Sequence, residues 1–598
     1  MKKLIAVLLI LILLLTGCTD VTQPSPQPSA VVRDESIKSI ESLSQLKSLL
    51  DASKDNIFSR WYRSVGSALL AKDANGPDYA VESVTATGDA SQSHSETNTQ
   101  VAGVDEADTV KTDGKFIYSI SSYGFVNIVS VDSNGYLELV KQIKDFGKNF
   151  SPAEIYVDDQ FLIVIGTSYD MEGSYSAAYI YDKTDIAELK LLKDVMIKGY
   201  YSDSRKIGNS LYLICNYTPY YYYLKDTDLL PCYIENGKTT YQSPSDIFYF
   251  DETECSSYLI LGAVDLSDLT KDINLNTYLG SGQTVYMSHE NLYVTYSQYP
   301  YKPVRKILPE EDSYYYKEET VIHKFRADNA VLNYVATAKI TGYPINQFAM
   351  DEYNGFFRIA VTDNLEGKSV NNVYVFDENL VQTGTIQNMA PGERIYSVRF
   401  NGDIGYMVTF VVVDPLFVMD LSDPYNPKVD GELKIPGYST YMHMYSDTLI
   451  LGFGMDTTEQ DGRALNQGIK IAMFDVSDRA NPKQLFTTSI GGRGTWSELN
   501  YNHKAFMFDR EKDIFTFPAS ISGNNYEMKT QGLVVCKIDM QNNRFEVLDI
   551  LSQDYFTNWS NYVERGMYIG NTLLTISKNA IYSYNYTTLQ FIDNVLFD

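Results

Sequence analysis

The chain has 598 residues, with 76 Asp and Glu against 49 Lys and Arg, giving a net charge of −27 and only five His. Such a surface repels nucleic acid and anionic lipid head groups; it attracts cations or basic peptides, or serves only solubility at a charged cell surface. Forty-nine Tyr, many Val and Ile, and apolar stretches broken by Asn, Asp and Gly suit an all-β chain with an ample core.

At the N-terminus, Lys2-Lys3 precede an apolar run from Leu4 to Leu15, then Thr16-Gly17-Cys18. A basic start, a short apolar run and small residues before a cysteine make a secretory signal. Residues 14–18 resemble the bacterial lipobox, and that resemblance implies cleavage before Cys18 and lipidation of Cys18. The alternative, an uncleaved anchor, is short of the roughly 20 residues a span needs. Loss of residues 1–17 removes Lys2 and Lys3 and no acid, leaving 47 basic against 76 acidic residues, net −29. The expected location is extracytoplasmic, held to the cell membrane by the N-terminal lipid. Residues 18–33, rich in Pro, Ser and Gln, read as a tether. Residues 34–94 are expected to be a helical and flexible segment: Ile37, Ile40, Leu43, Leu46 and Leu50 recur at helical spacing behind Asp34 and Glu35, and a second helix is expected over 56–71. These helices pack on the main domain or bind a partner.

From residue 95 to 598 the chain repeats one phrase: two strands about a polar turn, a short apolar strand ending in an acidic turn, then a further strand. Its clearest copies are Phe417-Val418-Met419-Asp420-Leu421-Ser422-Asp423 and Met473-Phe474-Asp475-Val476-Ser477-Asp478, with Asp420 and Asp475 55 residues apart. Val264-Asp265-Leu266-Ser267-Asp268 is an earlier copy. A fixed period of this size marks a propeller, and about nine units of about 55 residues fill the stretch. Propellers usually have about four to eight blades, so eight or nine four-stranded blades are expected, the eight-bladed case needing one unit to be an insertion or the ends to share a blade.

Beyond Cys18 the cysteines are Cys215, Cys232, Cys255 and Cys536, which an exported protein can oxidise; their pairing is not set by spacing. No G-x-S-x-G, P-loop or H-E-x-x-H occurs, and no pair of acids is singled out for glycosidase chemistry. The densest polar signal is Asp105-Glu106-Ala107-Asp108 with Asp113. Asp105, Asp108 and Asp113 offer the oxygen ligands that Ca²⁺ takes, without EF-hand spacing; the other reading is a turn and capping network. No other cofactor is expected. Arg394, Arg399, Asp414, Arg493, Trp496 and His503 are candidate binding residues, placed at strand ends or in loops between blades, where propellers bind. Tyr220 to Tyr223 and Tyr314 to Tyr316 fall in long inserts and suit stacking on sugars or peptides.

The stretch from Ser95 to Asp108 with Val110-Lys111-Thr112-Asp113-Gly114, Ala390-Pro391-Gly392-Glu393-Arg394, Val413-Asp414-Pro415 and Gly491-Gly492-Arg493-Gly494 resembles the signature phrases of a family of secreted prokaryotic β-propeller proteins, distantly related to WD-repeat propellers. The resemblance implies the fold and export and assigns no reaction. The expected function is therefore a membrane-tethered binding or scaffold module for an envelope protein, peptide or glycan. The alternatives are a hydrolase or lyase with carboxylates in the central channel, or a purely structural envelope protein.

Overall fold

The computed structural model describes residues 37–52 and 93–597, except 148, 171–172, 220–225, 251–256, 299–317, 366, 412–413, 461–462, 524–525 and 554–560. Nine sheets follow one another along the chain, spanning residues 110–143, 150–198, 200–279, 284–341, 350–389, 394–435, 438–490, 496–551 and 563–596. They are blades 1 to 9. In each, four antiparallel strands pair in chain order, the first at the axis and the fourth at the rim. Blade 8 departs slightly, its first strand being split into Trp496–Ser497 and Met507–Asp509.

The core lies between blades, not within them. Ten apolar clusters fill the nine seams between neighbouring blades, two of them between blades 6 and 7. Phe515 and Phe517 of blade 8, for example, meet Leu451 and Phe453 of blade 7. One cluster closes the ring, Ile117 and Val129 of blade 1 packing on Leu574, Ile576 and Ile581 of blade 9. The ends of the propeller share no blade, so nine units stand as nine blades.

The acidic turn of the repeat has a common job. In eight blades an Asp or Asn at the end of the third strand accepts a hydrogen bond from a backbone N–H two or three residues on, as Asp265 does from Ser267, Asp420 from Ser422, Asp475 from Ser477 and Asn585 from Thr587. This is the Asx-turn chemistry that makes these residues common in turns. Blade 4 turns differently, with Asn329 and Ala330 both at positive φ (46° and 56°), the geometry of a tight type I′ hairpin.

Blades 2 and 3 carry extra strands at the rim. The insert between the second and third strands of blade 3 supplies Cys232–Glu235, which pairs with the outer strand of blade 2, and Ile247–Phe250, which lies parallel to the outer strand of blade 3. Ile37–Ser39 then pairs antiparallel with Ile247–Phe250. The helix expected from Ile37 onward therefore begins later, at Leu43–Ala52. Ser42 fixes its start: the Ser42 hydroxyl accepts from Gln45 N–H at 3.2 Å, and the Gln45 side chain accepts from Glu41 N–H at 2.7 Å, close to a reciprocal capping box. Ile40, Leu46 and Leu50 are buried against blades 2 and 3, so this helix packs on the propeller. The second expected helix, 56–71, and both Tyr runs lie outside the described residues.

Candidate functional site: the axial segment and its pocket

A propeller axis presents the free edges of its inner strands, whose N–H and C=O groups need partners. Residues 93–109 meet that need. Ser93 and Ser95 lie on the inner strand of blade 9, Gly570 N–H donating to Ser93 C=O at 2.7 Å and Ser95 N–H to Tyr568 C=O at 3.0 Å. Asn98 donates to His503 C=O between blades 7 and 8, and Gln100 to Gln347 and Met350 carbonyls ahead of blade 5. The chain turns back at Gly103 (φ 78°), where a side chain would press on His289. Asp105 and Lys206 of blade 3 then exchange backbone bonds at 2.8 and 3.0 Å, as do Asp108 and Ile155 of blade 2. One segment thus touches inner strands or their approaches around the axis before it becomes blade 1.

Its side chains form a chain of ion pairs. Asp108 is buried and accepts from Arg565 Nε and Nη2 at 2.9 and 2.8 Å, while Arg565 Nη1 reaches Glu498 at 2.7 Å. Glu106, also buried, accepts from Gln100 N–H and faces His503 Nε2 at 3.0 Å. Lys504 donates to Glu154 and to Ala107 C=O, and Arg205 pairs with Asp203. Burial by itself raises a carboxyl pKa. For Glu106 the nearby Arg205, His503 and Lys504 outweigh burial and hold the carboxyl well below its usual range. Arg565 does the same for Asp108. Burial dominates at His503 and pushes its pKa down, against the pull of Glu106. Asp203 goes the other way, burial raising it despite Arg205.

The three acids offered above as oxygen ligands each face a different cation: Asp105 meets Lys111 at 2.7 Å, Asp108 meets Arg565, and Asp113 meets Lys183 at 2.7 Å. Asp113 also caps its hairpin through Lys115 and Phe116 N–H. Among the described residues no three His, Cys, Asp or Glu side chains gather as a metal site. Cys215 and Cys536 are buried free thiols, Cys232 is buried, and Cys255 lies outside the described residues.

Within each blade the hairpins joining first to second and third to fourth strands lie at one end, the hairpin face. The links between second and third strands and between blades lie at the other, the crossover face. A pocket of about 710 Å³ opens at the axis toward the hairpin face, within the range of about 300–1,000 Å³ typical of ligand sites. Its walls carry Asp105, Lys111, Asp158, Lys206, Lys504 and Arg565 beside apolar Val104, Met507 and Met567. Asp158 pairs with Lys206 at 2.8 Å, and its pKa lies below the usual range although burial opposes this. Glu96 and Asp159 also line the pocket and make no ion pair among the described residues.

Of the candidate binding residues, His503 is at the axis, 1 % exposed. Arg399 is buried on the inner strand of blade 6, near enough to His443 to help burial hold that imidazole down at about 3. Arg394, Asp414, Arg493 and Trp496 are gathered by topology at the crossover face, where inner strands begin and third strands start. Trp496 runs parallel to Tyr501 and Tyr562 at 6.0 and 5.6 Å, and Arg493 lies over Tyr526. Sequence reasoning missed Arg205, Lys504 and Arg565. The available signal was a cation inside or beside an inner strand of a strongly acidic chain.

A ring of nine four-stranded blades about an axis, with a polar pocket at one end, is a β-propeller, a fold that fits a binding or scaffold module. The family model for the "Beta propeller domain" matches residues 94–589, and the chain belongs to that family. Its match begins where the axial segment begins. An uncharacterised protein of Methanocaldococcus jannaschii is 28% identical, the alignment covering 99% of this chain and 97% of that protein. An uncharacterised protein of Archaeoglobus fulgidus is 29% identical, covering 90% of this chain and 93% of that one.

Proposed function

We propose that this protein is an extracytoplasmic binding module, tethered to the cell membrane by a lipid on Cys18, that holds a peptide, a protein segment or a glycan in its axial pocket. The pocket carries this reading. Its walls carry both carboxylate acceptors and Lys and Arg donors, groups that suit a ligand rich in amides or hydroxyls. Because most of these groups are already ion-paired, their positions are fixed before a ligand arrives, which lowers the ordering cost of binding. The two unpaired carboxylates, Glu96 and Asp159, tilt the preference toward neutral or basic ligands.

The hydrolase or lyase alternative is less well supported. A general acid needs a carboxyl pKa raised toward neutrality, whereas the pocket acids Asp108, Asp113 and Asp158 lie below the ordinary range in spite of burial, and Asp203 and Glu564, which burial raises, do not line the pocket. The tether reading rests on the sequence of residues 1–33. Among the described residues no helix is long and apolar enough to cross a membrane. The test is to express the full chain with an alkyne-tagged fatty acid. Label on the protein and recovery in the membrane fraction are expected, both lost in Cys18→Ser; unlabelled protein, or a Cys18→Ser variant that stays labelled, contradicts the lipid.

A further inference from the structure

Where blades 8 and 9 meet at the crossover face, three aromatic rings lie in nearly parallel planes. Trp496 begins the inner strand of blade 8, Tyr501 follows the turn Glu498–Asn500, and Tyr562 immediately precedes the inner strand of blade 9. The Trp496 plane is 18° from that of Tyr501 and 15° from that of Tyr562, with centroids 6.0 and 5.6 Å apart. Parallel rings at such separations are offset, so part of each face stays uncovered, and Trp496 and Tyr501 are each 38 % exposed. None of the three belongs to the apolar clusters that fill the seams on either side of blade 8. Other exposed rings meet their neighbours edge-on, as Tyr425 meets Phe356 at 78° and Phe591 meets Tyr584 at 77°.

Polar groups stand beside these rings. The Ser497 hydroxyl accepts from Leu499 N–H and fixes the turn that carries Glu498. Glu498 Oε1 accepts from Arg565 Nη1 and from Asn502 Nδ2, both at 2.7 Å, while its Oε2 accepts nothing among the described residues. Glu564 lies 3.5 Å from Lys578 Nζ with 21 % of its side chain exposed. Trp496 Nε1 and Tyr501 Oη make no hydrogen bond among the described residues. Burial pushes the Tyr501 phenol up to about 12, with Glu498 and Glu564 adding to it against Arg565, so Tyr501 stays a donor.

We propose that this is a saccharide-binding site, separate from the axial pocket, which takes a gluco-configured pyranose with its C–H face on Trp496 and Tyr501 and its hydroxyls on Glu498 and Glu564. None of these residues lines the axial pocket. The ligand has to offer an apolar plane and hydrogen-bond donors around its edge at once. A pyranose with equatorial hydroxyls does so: its axial C–H bonds meet the negative π-face of a ring, and its hydroxyls donate to carboxylates, the stronger class of hydrogen bond. An ammonium ligand fits less well, because an aromatic cage encloses its cation whereas these rings are parallel, and each carboxylate already faces a cation. A purely apolar ligand would leave Glu498 Oε2, Trp496 Nε1 and Tyr501 Oη unused. Arg565 holds Glu498 in place before a sugar arrives, which lowers the ordering cost of binding.

The test is calorimetric titration of the full chain with cellohexaose and with chitohexaose, both built of pyranoses with equatorial hydroxyl or amide groups. Binding of at least one is expected. Trp496→Ala should weaken it about tenfold or more, Tyr501→Ala should act in the same direction, and Trp496→Phe, which keeps a ring, should lose less. The Glu96→Gln/Asp159→Asn protein should bind as the parent does. If Trp496→Ala does not fold, Tyr501→Ala and Trp496→Phe carry the comparison. No binding of either sugar overturns the site. Binding that survives Trp496→Ala and Tyr501→Ala overturns it as well, and if that binding is lost in Glu96→Gln/Asp159→Asn, the sugar occupies the axial pocket instead.

Discussion

At the residue scale, the axial ion pairs are where single changes should matter most. Arg565 holds two carboxylates, the buried Asp108 and the half-buried Glu498. Breaking a buried pair from one side costs about 3–5 kcal/mol, because the partner's charge is left without compensation. Arg565→Met should therefore destabilise the protein by about that much, and adding Asp108→Asn and Glu498→Gln should recover part of the loss. Denaturant unfolding of the single and triple variants checks this. A single variant within about 1 kcal/mol of the parent would show the pair to be dispensable, since ordinary surface changes stay below that.

The buried imidazoles set a pH dependence. Burial depresses His323 and His443 to about 3, against about 6.5 in an unfolded chain. Between those values the unfolded state binds protons that the native state refuses, so stability is full above about 6.5 and is lost as the pH falls toward 3. The lowered Glu106 and Asp108 act in the same direction further down, their contribution being lost as the pH falls below about 4. The melting temperature should be level from pH 8 to 7 and decline below 6.5. The decline between pH 6.5 and 5 should be shallower in His323→Gln/His443→Gln, and an identical slope would exclude these two residues as its source.

At the scale of elements, the strands were legible because each blade writes the same short apolar run and Asx turn. Asp420 and Asp475 do in the fold what their spacing promised. The first helix was misplaced because Ile37 and Ile40 fit a helical period and a short strand equally well. Ser42 and Gln45 decide the boundary, and their capping pattern was available in the sequence. The partners of Asp105, Asp108 and Glu106 were not. Arg565 is 457 residues from Asp108 and His503 is 397 from Glu106, and only closure of the ring brings them together.

Two element-level outcomes follow. Leu46 is fully buried where the helix meets blades 2 and 3. Leu46→Ala should cost about 2–4 kcal/mol at that contact and raise amide exchange in residues 232–250, with blades 6 and 7 unchanged. Exchange rising evenly around the ring would mean that the helix is coupled to the whole propeller. Asn98 donates to Tyr441 Oη and His503 C=O at the axis. Asn98→Ala should cost about 1–3 kcal/mol through the acceptors it leaves unmet, with exchange increasing first in the axial segment.

At the scale of the molecule, nine apolar seams close the ring with no strand shared between its ends, and the segment over 93–109 crosses the axis and binds to what it meets. Propeller closure is a packing problem that repeated blades solve locally; filling the axis is a separate problem, and here one acidic stretch solves it by pairing with cations from blades 1, 3, 8 and 9. The period left eight or nine blades open, and the pocket was not legible, because residues of the axial stretch and of blades 1, 2, 3, 8 and 9 come together to line it only when the ring closes. The proposed function comes down to ligand binding in this pocket. Its most direct test is thermal unfolding of the full chain with neutral and basic peptides and with oligosaccharides, beside the Glu96→Gln/Asp159→Asn variant, both proteins carrying Trp496→Ala. A ligand present at a hundred times its Kd stabilises by about 2.7 kcal/mol, so a pocket ligand should raise the melting temperature of the parent protein and raise that of the variant much less. An equal rise in both, or none in either across the panel, would contradict it.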